Sequence, residues 1–278
     1  MAILEAEGLC KRYPSFYLDH VSFALEKGRV MGFIGRNGAG KTTTLKALMN
    51  FVHKDEGAIR FFGMDFERNE QAIKSRVGFV SGGIDFYPRK KLRDITAVTR
   101  RFYPLWDEEA YRRNCERFAL DEGKTPEQLS AGMKVKYSLA LALSHRAELL
   151  VLDEPTSGLD PVSRAELLDA FLALAQEGVT ILFSTHITSD LDQCADDIAY
   201  IRRGKIIACE DMKAFAGRYC AVTLPEPVAE KTKALLIGPR HVKDGCAALV
   251  LKKDAEQFDA RSATLEDIMV HFEREDEK

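Results

Sequence analysis

The run Gly35-Arg36-Asn37-Gly38-Ala39-Gly40-Lys41-Thr42 constrains this chain more than any other stretch. It fits the spacing G-x-x-x-x-G-K-[ST]. A compact apolar segment, Arg29 to Ile34, precedes it, and an amphipathic stretch reaching about Val52 follows, so the local order reads strand, loop, helix. Glycines at this spacing let the backbone fold until successive N–H groups point inward, and the start of the following helix adds partial positive charge. Such a cradle, running from Gly35 to Thr43, suits phosphate oxygens, and Lys41 is placed to reach the β and γ phosphates of a nucleoside triphosphate. The Thr42 hydroxyl is a hard oxygen donor suited to Mg²⁺. An ordinary glycine-rich turn would not bring Lys-Thr between a buried strand and a helix.

Composition narrows the setting. The 278 residues, 46% hydrophobic and 30% charged, allow one large domain or one domain with an appendage. The formal net charge of −3 leaves no bulk electrostatic footprint for nucleic acid, so no nucleic-acid partner is expected. Apolar stretches such as Leu149 to Leu152 and Val179 to Phe183 fall far short of the roughly 18 residues that a membrane-spanning helix requires. Charges begin at Glu5 and interrupt any signal-peptide core, so a cytoplasmic location is expected. The six cysteines are scattered with no Cys-x-x-Cys pair, which suggests neither a metal cage nor a disulfide framework.

Alternation of apolar and polar residues predicts two strands, Ile3 to Leu9 and one through Val21, Phe23 and Leu25, joined by a turn near Tyr13 and Pro14. Residues 89–120 read as a charged, aromatic helical insertion broken at Tyr103-Pro104. Ser130 precedes a helix to about Ser144, and Asp160-Pro161 opens another that ends at Gly178. Buried strands are predicted at Glu148 to Asp153 and Val179 to Ser184. Strands alternating with helices imply an α/β fold with a mostly parallel sheet, ending near Gly217. Beyond it, residues 218–278 read as a small appendage with short strands at Ala221 to Leu224, Ala234 to Ile237 and Ala247 to Leu251, and a last helix from Thr264.

The apolar strand ending in Asp153-Glu154-Pro155 delivers two adjacent carboxylates to the sheet edge where α/β folds place ligands. Alternation sends them in different directions, so Asp153 is assigned to the metal, through water, and Glu154 to the base that activates the attacking water. His186 leaves the next strand at the same edge, in position to donate a hydrogen bond to the γ-phosphate or to that water.

Leu129-Ser130-Ala131-Gly132-Met133, the Asp-Glu strand, Ser157-Gly158-Leu159-Asp160 and His186 follow the phosphate loop in an order that resembles the ATP-binding cassette ATPases over residues 1 to about 217. The resemblance implies a P-loop NTPase core with an N-terminal antiparallel β layer, a helical subdomain at about 85–145, and ATP and Mg²⁺ as ligands. It implies that Tyr13 stacks on adenine; a turn tyrosine packing on its hairpin is the other reading. Ser130 and Gly132 match positions that contact the γ-phosphate bound by the opposite subunit, and a plain serine N-cap is the alternative for the first. Two such chains, identical or paired with a second ABC ATPase, would then form composite sites head to tail.

Two departures stand out. The family places a glutamine after a Gly-aromatic strand, whereas Val77-Gly-Phe-Val-Ser81 continues here into Gly82-Gly83; a water or a neighbour such as Asp85 would have to serve instead. The signature also carries Ala131 and Met133 where Gly and Gln are commoner. Phe102-Tyr-Pro-Leu-Trp-Asp107 and Thr264-Leu-Glu-Asp-Ile-Met269 look like bacterial export-type subunits of the antibiotic-resistance and acetoin-operon kind. That likeness implies an ATPase powering export through a separate membrane-spanning permease, peripheral on the inner face of the cell membrane. Phe102, Tyr103 and Trp106 beside Arg89, Lys90, Lys91, Arg100 and Arg101 read either as its docking surface or as a solvated basic helix with an aromatic core side. The rival function is a soluble ABC-type ATPase acting as a nucleotide-dependent switch or sensor without transport.

Overall fold

The computed structural model describes residues 2–82 and 86–274. It opens with a long antiparallel hairpin, β1 (Ala2–Tyr13) and β2 (Phe16–Glu26), whose turn falls at Pro14 as predicted. Leu4, Leu9, Val21, Phe23 and Leu25 point inward, which is why their alternation was readable. β3 (Val30–Ile34) is buried along its whole length and leads through the glycine loop into α1 (Lys41–Leu48). That helix stops short of the expected Val52, because Asn50 adopts a left-handed φ of 57° that a helix cannot propagate. β4 (Glu56–Phe61) and β5 (Met64–Asp65) complete an outer antiparallel layer in the order β2-β1-β4-β5. α2 (Phe66–Lys74), capped by Asp65 accepting from the Arg68 N–H, returns the chain to β6 (Val77–Ser81).

The helical insertion comprises α3 (Leu92–Thr99), α4 (Glu108–Arg117) and α5 (Ala131–Ser144). Leu92, Ile95, Tyr111, Tyr137 and Leu141 give it a core of its own. At its centre the buried Thr96 hydroxyl lies 2.8 Å from both tyrosine hydroxyls, of Tyr111 and Tyr137. The break at Pro104 is present, and Asp107 then caps α4 by accepting from the Ala110 N–H at 2.9 Å. Trp106 packs against Tyr111 in that core, which for this residue favours the aromatic core side over the docking surface. Phe102, 76% exposed, keeps the surface position.

β7 (Leu149–Asp153), α6 (Pro161–Gln176), β8 (Thr180–Thr185), α7 (Thr188–Cys194), β9 (Asp197–Arg202) and β10 (Lys205–Asp211) complete the main sheet, ordered β10-β9-β3-β8-β7-β6. All its pairings are parallel except β9 with β10. Helices cover both faces, so β7 and β8 are continuous apolar runs rather than alternating ones. Register sets the site: Ile34 lies opposite Thr185, and Asp153 opposite Ser184, so β3, β7 and β8 end at one common edge.

After α8 (Met212–Ala216) come β11 (Tyr219–Leu224), α9 (Glu230–Lys233), β12 (Ile237–Val242), β13 (Gly245–Leu251), β14 (Ala260–Ser262) and α10 (Leu265–Phe272). The strands form an antiparallel sheet, β12-β13-β11-β14. The strand expected at Ala234 to Ile237 is absent: a helical turn ends at Lys233, and the chain becomes extended only from Ile237. Ala221, Leu249, Leu265 and Ile268 share one buried cluster with Leu191, Cys194 and Tyr200, so this C-terminal part is packed onto the main sheet's helices and not tethered beside them. Among the described residues no helix is long and apolar enough to cross a membrane.

Candidate active site

The phosphate loop departs from β3 under tight packing. A side chain at Gly35 would place Cβ 2.3 Å from the Ile201 carbonyl oxygen, and Gly40, immediately before α1, has φ 116°, so both positions demand glycine. Lys41 is 5% exposed, and its ammonium donates to the carbonyl oxygens of Gly35 at 2.8 Å and Arg36 at 3.3 Å. The same Nζ lies 3.1 Å from Glu154 Oε1. Burying an ammonium is costly unless it is paired, and these three oxygens are its partners.

Glu154 therefore sits between two cationic or potentially cationic groups, because its other oxygen, Oε2, lies 2.8 Å from His186 Nδ1. Its backbone adopts φ 50°, a left-handed conformation unusual for a glutamate. That conformation turns the carboxylate back toward the loop. Its neighbour Asp153 takes the other direction, accepting from Thr42 Oγ1 at 3.1 Å, so the two residues assigned to a metal touch each other. The donor set, a hydroxyl and a carboxylate beside the phosphate cradle, fits a small hard cation that keeps several waters.

Ser184, at the end of β8, was not picked out in the sequence. Its buried hydroxyl accepts from the Glu154 N–H at 2.9 Å and donates to Asp153 Oδ1 at 2.7 Å, clamping the Asp153 carboxylate and the Glu154 backbone to the neighbouring strand. Serine in an apolar strand carries no motif; its place one residue before Thr185-His186 was the available signal. Asp190 is a second such group. It is fully buried and accepts from Thr156, Thr185 and Arg164, tying the segments that follow β7 and β8 to one another.

A cleft of about 800 Å³ opens over these groups, lined by Tyr13, Phe16, Asn37, Gly38, Gly40, Lys41, Thr42, Thr43, Glu154, Ser157 and His186. Tyr13 stands at the hairpin tip, 42% exposed, its ring centroid 6.5 Å from that of Phe16. The Arg36 side chain faces elsewhere: it lines a separate groove beside α10 and lies 3.9 Å from Glu273, so its part in the loop is played by its backbone. Ala39 is buried and packs with Phe33 and Leu45 in the core beneath the loop. Ser130 and Gly132 are not among the residues lining the cleft. Ser130 caps α5 by accepting from the Met133 N–H at 3.2 Å, and Gly132 is packed so that a Cβ would meet that of Ser163 at 3.3 Å. Asp160 caps α6 through the Val162 and Ser163 N–H groups, which hold its carboxyl below the usual range together with the Ser163 hydroxyl, the largest influence. Ser81 ends β6 opposite Asp153; Gly83 and Asp85, named for the missing glutamine, lie outside the described residues.

The ABC transporter family model matches residues 18–157. The bacitracin transport ATP-binding protein of Bacillus licheniformis is 32% identical over 246 residues, covering 86% of this chain and 79% of that protein. The daunorubicin resistance ATP-binding protein of Streptomyces coeruleorubidus is 35% identical over 77% of this chain and 71% of its own. A solved ATP-binding subunit of an ABC transporter superposes with a TM-score of 0.68 at 26% identity, covering 76% of this chain and 91% of that one. The dimeric post-hydrolysis state of an ATP-binding cassette bound to ADP and Pi, at 20% identity and a TM-score of 0.65, shares the fold. The chain belongs to the ABC transporter family, as an ATP-binding, ATP-hydrolysing subunit.

Proposed function

We propose that the chain is the motor of a bacterial exporter, with residues 1–217 as the cassette, residues at about 85–145 as its helical subdomain and residues 218–278 as an appendage. The observation that carries the mechanism is the linked set Lys41, Glu154 and His186, with Glu154 held at 3.1 Å and 2.8 Å between the other two. Triphosphate oxygens in the loop compete for the Lys41 ammonium, which frees one carboxylate oxygen of Glu154 to accept the proton of an attacking water. His186 keeps the other oxygen and so fixes the direction of attack. Thr42 and Asp153 would hold Mg²⁺, which supplies charge neutralisation to the transferring phosphoryl group. Tyr13 stacks on the adenine.

Ser130 and Gly132 complete the site of a second cassette, of the same or a related chain. Their position outside the cleft of their own chain supports this reading, since the partial positive charge at the start of a helix suits another molecule's phosphate. The membrane-spanning partner docks in the cleft of about 490 Å³ between the insertion and the main sheet, where Phe51 and Phe86 are 57% and 55% exposed beside the stacked rings of Tyr103 and His145. Exposed large apolar groups around one cleft support a protein partner there. The names of the relatives favour an antibiotic-like cargo carried outward, and the inner face of the membrane as the working place.

Glu154→Gln keeps size and hydrogen bonding but removes the base. ATP should still bind, turnover should stop, and a dimer should accumulate in size-exclusion chromatography with light scattering. A monomer at saturating MgATP would overturn the composite site.

A further inference from the structure

Scattered in sequence, three groups with metal-binding chemistry meet in the outer β layer, away from the nucleotide cleft. Cys10 lies on β1, His20 on β2 and Glu56 at the start of β4, and one ligand atom from each falls within 4.8 Å of the others. We propose that Cys10, His20 and Glu56 form a binding site for a thiophilic divalent cation, Zn²⁺ being the best match.

The backbone is built irregularly at this point and nowhere else on β1 so densely. β1 pairs Leu9 with Val21 and then Lys11 with Leu18, so that Asp19 and His20 together stand opposite Cys10, one residue more than the ladder needs. On its other side β1 pairs Glu7 with Ala58 and then Cys10 with Glu56, a second register shift. Bulges of this kind re-aim side chains. His20 also holds φ 48°, a strained conformation for histidine, and no turn of the hairpin requires it. Two bulges and one left-handed residue thus bring three strands' ligands to one spot.

The chemistry of the groups agrees. The Cys10 sulfur receives hydrogen bonds from the Tyr17 hydroxyl at 3.4 Å and the His20 N–H at 3.3 Å, which fix its position beside His20. His20 Nδ1 lies 2.6 Å from Asp19 Oδ1, and the other oxygen of that carboxylate lies 2.9 Å from Lys205 Nζ. A carboxylate on Nδ1 leaves Nε2 with the lone pair and fixes the ring, the arrangement found behind zinc-bound histidines. Thiolate, imidazole and carboxylate with an open fourth position is a borderline-soft set that suits Zn²⁺ and excludes Mg²⁺. Tetrahedral bonds of about 2.0–2.3 Å put ligand atoms roughly 3.5 Å apart, a closure of about 1 Å that the exposed His20 and Glu56 side chains can make by rotation. Because Tyr13 and Phe16 sit at the tip of the same hairpin, the cation would stiffen the arm that reaches the nucleotide cleft.

The test uses the full-length, tag-free protein titrated with Co²⁺ in the presence of saturating Mg²⁺. One equivalent should produce a thiolate-to-cobalt charge-transfer band that vanishes in Cys10→Ser, while His20→Gln and Glu56→Gln each weaken binding at least about tenfold. Zn²⁺ should raise the Tm of the wild-type chain by about 5 °C, with little rise in His20→Gln. Cys10 is buried and its variant can misfold, but His20 and Glu56 are exposed, so their variants decide the matter. Absence of the band, a band that is lost with Cys209→Ser instead, or wild-type Co²⁺ affinity in both exposed variants would overturn the site.

Discussion

Replacing Ser184 with alanine removes one hydroxyl from a fully buried position and breaks two hydrogen bonds, one to the Asp153 carboxylate and one from the Glu154 N–H. A bond to a charged group contributes about 1.5–3 kcal/mol and a neutral one about 0.5–1.5 kcal/mol, so the pair is worth about 2–4 kcal/mol. Part of that loss lowers global stability. The rest falls on Glu154, whose left-handed φ of 50° carries strain of about 1–3 kcal/mol and is held in place by this contact. Once released, the backbone relaxes toward an extended conformation and the carboxylate leaves the line set by Lys41 and His186. If half of that sum, about 1–2 kcal/mol, falls on the transition state, then at 1.36 kcal/mol per decade kcat falls roughly 5- to 30-fold. The loop amides and Lys41 are untouched, so ATP affinity should change by less than about threefold. Steady-state phosphate release gives the rate, a fluorescent nucleotide gives the Kd, and urea unfolding gives the stability. A kcat within about threefold of wild type, with stability lowered or not, would refute the view that Ser184 positions the base.

Two further outcomes follow from the site and from the tail. Tyr13→Ala should weaken ATP about 5- to 10-fold by calorimetry, the low end of a base-stacking contribution of about 1–3 kcal/mol, because Phe16 remains close by; unchanged affinity would remove Tyr13 from the site. At Asp267, burial pushes the carboxyl up, but the Arg261 guanidinium and the Thr264 N–H and hydroxyl outweigh it and bring it down to about 2. The unfolded carboxyl titrates near 3.9, so this stabilisation is complete above about pH 4 and is lost as the pH falls through about 2. After allowance for solvent screening it amounts to about 1–2 kcal/mol, and Asp267→Asn should lower urea-unfolding stability by that amount at pH 7 and by much less at pH 2.5. An equal loss at both values would count against the pair.

The residues legible in the sequence were those whose chemistry demands a fixed local spacing. Gly35 to Thr42 and Asp153-Glu154 each sit in one short segment, and the strand-loop-helix and strand-end contexts that gave them meaning are local too. The hairpin β1–β2 was visible because one of its faces is buried, and β7 and β8 because both of theirs are. What stayed hidden depends on contacts between distant segments. Ser184 is an ordinary strand serine until register sets it against Asp153. Trp106 read equally as part of a docking surface or as the core side of a basic helix, and only its contact with the Tyr111 ring decides for the core. β9 and β10 were unread because the motifs stop before them, while the Ala234 to Ile237 segment shows the reverse error, an apolar run taken as a strand where the chain is still leaving a helical turn. The Cys10, His20 and Glu56 cluster had no spacing to find, since bulges made it.

The end of α10 is pinned to the nucleotide half of the molecule. Glu273 lies 3.9 Å from Arg36 inside the phosphate loop and 3.2 Å from the Tyr200 hydroxyl, and Arg202 donates to the Phe272 carbonyl oxygen. One pair at that distance, with its arginine in solvent, is worth less than about 1 kcal/mol, yet it braces the one loop whose shape the chemistry depends on. A protein shortened at residue 264 loses these contacts, and phosphate release measured beside the whole chain reads what they contribute to turnover.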